Sequence, residues 1–125
     1  MQYIGKIDKN LYNKITGGII TEDVIVTDER IKHINNGRGA EFYEKYSKYF
    51  ADVIANPDII FEDKKNTFSV VKRIDDDVKH LNLILRIATP DIDAGFKNSI
   101  ITAIGIGDKR LENYKKNKKT LYKKE

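Results

Sequence analysis

Cysteine is absent from the 125 residues. That excludes disulfides, thiolate nucleophiles and cysteine-bound metals, so a chain of this size must be held by its core. Nothing in it points to an oxidising compartment. Long apolar runs are missing too. None approaches the roughly 18–20 residues that a membrane span requires, so no membrane partner is expected. The opening residues Met1-Gln2-Tyr3-Ile4-Gly5-Lys6 do not read as a signal peptide, and a cytoplasmic location is the expectation. No H-E-x-x-H occurs. Gly105-x-Gly107 lacks the third glycine and the strand–helix setting of a dinucleotide site, which leaves a helix entry whose amides could bind a phosphate. Asp75-Asp76-Asp77 near His80 reads as a solvated turn, so no metal and no cofactor are expected.

What is present suffices for one core. Hydrophobic residues make up 40% and charged residues 34%, with seven tyrosines and five phenylalanines, which excludes the disordered class. The length fits a single domain over residues 1–125. Residues 1–18 read as an N-terminal extension or extra strand, and 19–122 as the main body. The net charge of +4 is unevenly spread. From Lys109 to the end, eight basic residues face two acidic ones, a net +6, whereas Met1 to Asp108 carries 15 basic and 17 acidic residues. Lys109, Arg110, Lys115, Lys116, Lys118 and Lys119 therefore form a basic segment suited to a phosphate backbone. A solvated helix face is the competing reading of the same lysines.

The order of elements points to an α+β domain. Gly17-Gly18 marks a turn; Ile19-Ile20 and Val24-Ile25-Val26 read as one or two short strands. Thr27 or Asp28 caps a short helix that Asn35-Asn36-Gly37 stops. Phe42, Tyr43, Tyr46, Tyr49, Phe50, Val53 and Ile54 give an amphipathic helix over 40–55, closed before Pro57. Strands follow at Ile59–Phe61, Thr67–Ile74, His80–Thr89 and Asn98–Ile106, with a polar loop from Pro90 to Lys97. Asp108 then caps a terminal helix carrying Leu111, Tyr114, Leu121 and Tyr122. Short connections favour an antiparallel meander with the helices segregated from it.

Few residues in this plan can carry chemistry. His33 sits between Ile31 and Ile34 near the rim of the first helix, where it is either structural or a proton-transfer group; His80 reads as structural. Lys72 and Arg86 interrupt apolar stripes, and Thr102 lies mid-strand. A cation inside an apolar stripe needs a partner or an anionic ligand. One histidine, two cations and a hydroxyl would suffice for phosphodiester cleavage in which RNA supplies its own 2′-OH.

The run Ile25-Val26-Thr27-Asp28-Glu29-Arg30-Ile31-Lys32-His33-Ile34, the tyrosine-rich helix, Ile54-Ala55-Asn56-Pro57-Asp58-Ile59-Ile60, and Ser99-Ile100-Ile101-Thr102-Ala103-Ile104 before a lysine-rich end carry a resemblance in their order. From Ile19 to Tyr122 the chain resembles phage- and mobile-element-borne domains of the barnase–EndoU–colicin–RelE nuclease superfamily. The resemblance implies N-terminal helices packed on a four-stranded antiparallel sheet, barnase/RelE-like, plus the basic C-terminal helix. It implies a metal-independent, toxin-like endoribonuclease leaving a 2′,3′-cyclic phosphate, with His33, Lys72 or Arg86, and Thr102 as its catalytic set. The implied partners are RNA, tRNA among the candidates, and an acidic antitoxin or immunity protein. Barnase pairs a glutamate with a histidine, and no glutamate lies on the expected sheet here, so the mechanism would lean on His33 and cations. The alternative is a catalytically inactive nucleic-acid-binding or protein-interaction module of phage origin.

Overall fold

A computed structural model describes residues 1–90 and 97–125, so the polar loop expected from Pro90 to Lys97 lies mostly outside the described residues. Strand β1 (Gln2–Lys6) and the turn-length helix α1 (Lys9–Tyr12) lead into β2 (Asp23–Val26). Helix α2 (Asp28–Arg38) follows, then α3 (Phe42–Tyr46), a tight turn at Ser47–Tyr49, and α4 (Phe50–Ala55). The remainder is β3 (Ile59–Glu62), β4 (Thr67–Arg73), β5 (His80–Arg86), β6 (Asn98–Ile106), α5 (Asp108–Asn117) and β7 (Thr120–Lys123).

All seven strands form one sheet in the order β1-β2-β6-β5-β4-β3-β7. The expected four-stranded antiparallel meander is its centre, β6-β5-β4-β3, but the sheet is wider and not wholly antiparallel. On one side β2 joins β6 in parallel, pairing Val24 with Asn98 and Ile25 with Ser99. On the other, the chain leaves α5 at Asn117 and returns as β7 against β3. The terminal helix therefore ends before Leu121 and Tyr122, and Lys118 and Lys119 lie in the connection. Leu121 and Tyr122 are half-buried against the core, a gain in apolar burial that continuing a lysine-crowded helix into solvent would forgo.

Four further expectations are corrected. Ile19-Ile20 is not a strand, and α2 runs through Asn35-Asn36-Gly37 to Arg38. It continues because Asn35 faces inward, its side-chain oxygen accepting from the Tyr43 amide at 2.9 Å. The helix expected over 40–55 is broken at Ser47–Tyr49. Thr27 does cap α2, accepting from the Arg30 amide at 3.2 Å. The N-cap position of α5 is Gly107, and Asp108 begins the helix instead of capping it.

The two faces of the sheet are covered differently. Strand pairs place Phe68, Val70, Leu81, Leu83, Leu85, Ile100 and Ala103 on one face, where they bury against Phe50, Val53 and Ile54 of α4 and Ile34 of α2. Tyr12 joins this core, donating its hydroxyl to the Ile54 carbonyl at 2.9 Å. On the other face α5 lays Leu111 and Tyr114 over Ile59, Phe61, Val71 and Ile106. It covers β3, β4 and the far end of β6 at Ile106. Ile84, Arg86, Ser99 and Thr102 stand on the half beside it.

Two side-chain anchors fix this geometry. Each acid of the 75–77 turn has a partner: Asp75 pairs with Arg73, Asp76 accepts from the Tyr49 hydroxyl, and Asp77 pairs with Lys45. They clamp the β4–β5 hairpin to α3. Asn98 is fully buried at the start of β6. Its oxygen accepts from the Ala88 amide at 2.9 Å, and its amide donates to the Thr21 carbonyl at 2.7 Å. It thereby ties the end of β5 and the approach to β2 to the same residue. Replacing Asn98 by Ala should cost about 2 kcal/mol in urea unfolding, because the Ala88 amide would be left buried and unpaired. A variant within about 0.5 kcal/mol of wild type would show that water replaces the side chain there.

Candidate active site

Because β2 pairs with only the first two residues of β6, the chain turns directly into α2 beside the uncovered half of the sheet. A cavity of about 280 Å³ opens where they meet. Ile25, Ala88 and Ile101 form its apolar floor. Thr27, Glu29 and Arg30 enter from the start of α2, Arg86 from the end of β5, and Lys97 and Ser99 from the start of β6. Among the described residues, none gives the side chains of Arg30, Arg86 or Lys97 an ion pair or hydrogen bond, and Glu29 has none either. Three unpaired cations around one carboxylate and two hydroxyls leave an excess of positive charge that an anion would satisfy. Arg86 pairs directly with Ser99, so the two project side by side from the same face.

This constellation is the setting for the comparison with known families. A family model described as phage-Barnase-EndoU-ColicinE5/D-RelE like nuclease2 matches residues 2–123. The chain belongs to that nuclease family. No curated protein and no solved structure matches it. Membership implies a nucleic-acid substrate, and the match takes in the residues of β1 and β7. Among the described residues no helix is long and apolar enough to cross a membrane.

Within this nuclease-family chain the four residues expected at the centre do not converge. Arg86 lines the cavity. Thr102 stands on the same face, paired with Ile84 one rung further along, outside the cavity lining. His33 is exposed on α2, four residues after Glu29 and three after Arg30. That spacing puts it on the same side of the helix, one turn beyond the cavity, with Cβ separations of about 5–6 Å. Lys72 is elsewhere. It pairs with Leu81 on the helix-covered face, where its ammonium donates to the Asn56 carbonyl at 2.7 Å and lies 3.7 Å from Asp52 and 3.9 Å from Asp58. Its charge is spent on closing the end of α4, and a whole sheet separates it from Arg86.

The basic segment divides as well. Arg110 and Lys118 lie over the Tyr114 ring at 5.9 and 5.1 Å, and Lys115 pairs with Glu112. Lys109, Lys116 and Lys119 are exposed. A glutamate does lie on the sheet after all, Glu62 at the end of β3, but β3 is two strands from β5 and remote from the cavity. The residues that sequence reading passed over are Glu29, Arg30, Lys97, Ser99 and the hydroxyl of Thr27. One signal was available: Glu29, Arg30 and His33 share a side of α2 by spacing alone.

A second polar cluster lies under α5. His80, almost completely buried, donates through Nε2 to Asp108 at 2.8 Å, and Lys79 donates to the other carboxylate oxygen at 2.8 Å. The Lys79 and His80 hydrogen bonds hold the Asp108 carboxyl at about 2, below its ordinary 3.8. This agrees with a structural role for His80, since the pair pins the first turn of α5 to the β5 edge. A carboxyl lowered on folding stabilises the fold fully above its ordinary range and loses that contribution as pH falls toward the folded value. Asp108→Asn should therefore flatten the loss of thermal stability between about pH 4 and about pH 2. Parallel acid limbs for variant and wild type would contradict the pairing.

Proposed function

We propose that this member of the nuclease family is an endoribonuclease of barnase/RelE-like arrangement, cutting RNA at the cavity between α2 and the β5–β6 edge. The observation that carries the reading is the set of three unpaired cations around Glu29. Arg86, Arg30 and Lys97 hold the non-bridging oxygens of the scissile phosphate, where negative charge grows in the pentavalent transition state. Ser99 and Thr27 donate hydrogen bonds to the same group; Thr27 keeps its hydroxyl proton while it accepts from the Arg30 amide.

The proton transfers fall to the two side chains one turn apart on α2. Glu29 takes the 2′-OH proton, the 2′-oxygen attacks phosphorus, and the P–O5′ bond breaks. Protonated His33 delivers a proton to the departing 5′-oxygen. The products are a 2′,3′-cyclic phosphate and a 5′-hydroxyl, with no metal required by the chemistry. Base and acid on one side of one helix lie close enough to flank a single phosphate. This assignment restores the glutamate–histidine pairing through α2 instead of the sheet. Lys109, Lys116 and Lys119 add salt-dependent attraction to the flanking backbone. The toxin-like role, an acidic inhibitor protein and a cytoplasmic site of action belong to this reading as well.

The test is cleavage of a defined RNA in EDTA. Wild type should cut it and leave the cyclic phosphate. Glu29→Gln and His33→Ala should each lower kcat by about 10²–10⁴. Arg86→Ala should lower kcat/KM, and Lys72→Ala should affect stability only. Equal cleavage by wild type and Glu29→Gln contradicts the assignment. Salt-dependent RNA binding with no cleavage by any form would support the binding-module alternative, which the family's nuclease description disfavours but the basic segment alone would serve.

A further inference from the structure

From Ile100 onward, β6 has a strand neighbour only on its β5 side, because β2 has already turned away into α2. Arg38, the last residue of α2, occupies part of that free edge. Its Nε donates to the Ala103 carbonyl at 3.2 Å and one terminal nitrogen donates to the Gly37 carbonyl at 3.3 Å. Among the described residues it has no carboxylate partner. This guanidinium is held in place without being neutralised. The carbonyl of Ala103 points to the free edge, and the alternation of a strand turns the main chain of Gly105 the same way.

Beside it a cavity of about 620 Å³ is walled by Arg38, Phe42, Lys45, Tyr46 and Gly105, with the Glu41 carboxylate on its rim. Phe42 is half-exposed, its ring centroid 4.7 Å from that of Tyr46, and Lys45 lies 5.3 Å from the Tyr46 ring. A supported aromatic ring facing an open space, an acid-free arginine and free main-chain groups match what an unpaired nucleotide needs: a surface to stack on, a donor for its phosphate, and an edge to hydrogen-bond. The opening runs along the same helix as the cleavage cavity. From Arg30 to Arg38 α2 rises about 12 Å, a span that about three stacked nucleotides at roughly 3.4 Å cover.

We propose that this cavity is a nucleobase subsite, in which an unpaired base of the RNA strand stacks on Phe42 with its phosphate on Arg38. The proposal rests on the endoribonuclease reading for its substrate class. The substrate strand then follows α2 from the cleavage cavity to α3, and the enzyme requires single-stranded RNA on that side of the cut.

The experiment uses the full chain and an RNA hexamer with 2-aminopurine at one position and 2′-deoxyribose at each neighbouring sugar, so that cleavage is not needed for the signal. Wild type should quench the 2-aminopurine on binding. Phe42→Leu, which keeps apolar bulk and folding but removes the ring, should abolish the quench and weaken binding about tenfold. A hexamer abasic at that position should bind both proteins equally, and Phe42→Tyr should restore the quench. Equal quench and affinity for wild type and Phe42→Leu overturn the subsite, whatever the cleavage assay shows. A quench that depends on Phe42 in a protein that never cuts RNA supports the subsite and rejects cleavage. No binding of any hexamer by wild type overturns it outright.

Discussion

One buried asparagine anchors the junction from which the sheet and the site both start. Asn98 accepts from the end of β5 and donates to the approach to β2, which ties the start of a parallel contact of only two residue pairs between β2 and β6, and the Thr27 cap of α2 follows at once. A longer ladder would have covered the rest of β6 with another strand. The short one sends the chain into α2 at once, and α2 lies along the edge that β2 vacates. The cavity at the start of that helix and the aromatic cavity at its end both border the edge that β2 leaves open. A buried polar group of this kind contributes little net stability when paired, but leaving either of its partners unpaired is costly, so it specifies one arrangement.

The cations of the chain sort by the face they occupy. On the helix-covered face Lys72 is neutralised by Asp52 and Asp58, and at the hairpin Lys45 and Arg73 are paired with the acids of the turn. On the uncovered half of the sheet Arg86, Arg30 and Lys97 are left without acids. Burial and pairing explain the first group as architecture; the second has no acid partner among the described residues and is open to an anion. The basic segment at the C-terminus outweighs the whole net charge, yet Arg110 and Lys118 are spread over Tyr114, and Lys115, Lys123 and Lys124 line a separate cavity beside His80. In the proposed reading it adds diffuse attraction, while the cavity carries the defined contacts.

The parts of this fold that local pattern encodes were legible: a cap at Thr27 or Asp28, the strand from Asn98 to Ile106, the turn at 75–77, and the α+β class. What escaped depended on contacts distant in sequence. Strand β1, read only as an extension or an extra strand, and the β7 return, not read at all, are set by pairing with β2 and β3, and no local alternation distinguishes Thr120–Lys123 from the end of a helix. The same limit governs the site. Arg86 and His33 stood out by being odd among their neighbours; Arg86 lines the cavity, and His33 lies one turn of α2 beyond it. Lys72 was odd in the same way, but its partners Asp52 and Asp58 come from other elements, and a stripe pattern cannot say which face a strand shows to which layer. Lys97 and Ser99 reach the cavity only through the β2–β6 pairing, which no spacing reveals.

The central claim is that the RNA phosphate sits between α2 and Arg86 and not beneath α5. Backbone amide shifts on titrating a single-stranded RNA made uncleavable by 2′-deoxy sugars test it most directly. The account predicts saturating shifts at Arg30, Arg86 and Ser99, with Lys72 and His80 unmoved. Shifts centred on His80, Asp108 and Lys115, with Arg30 and Arg86 silent, would contradict it.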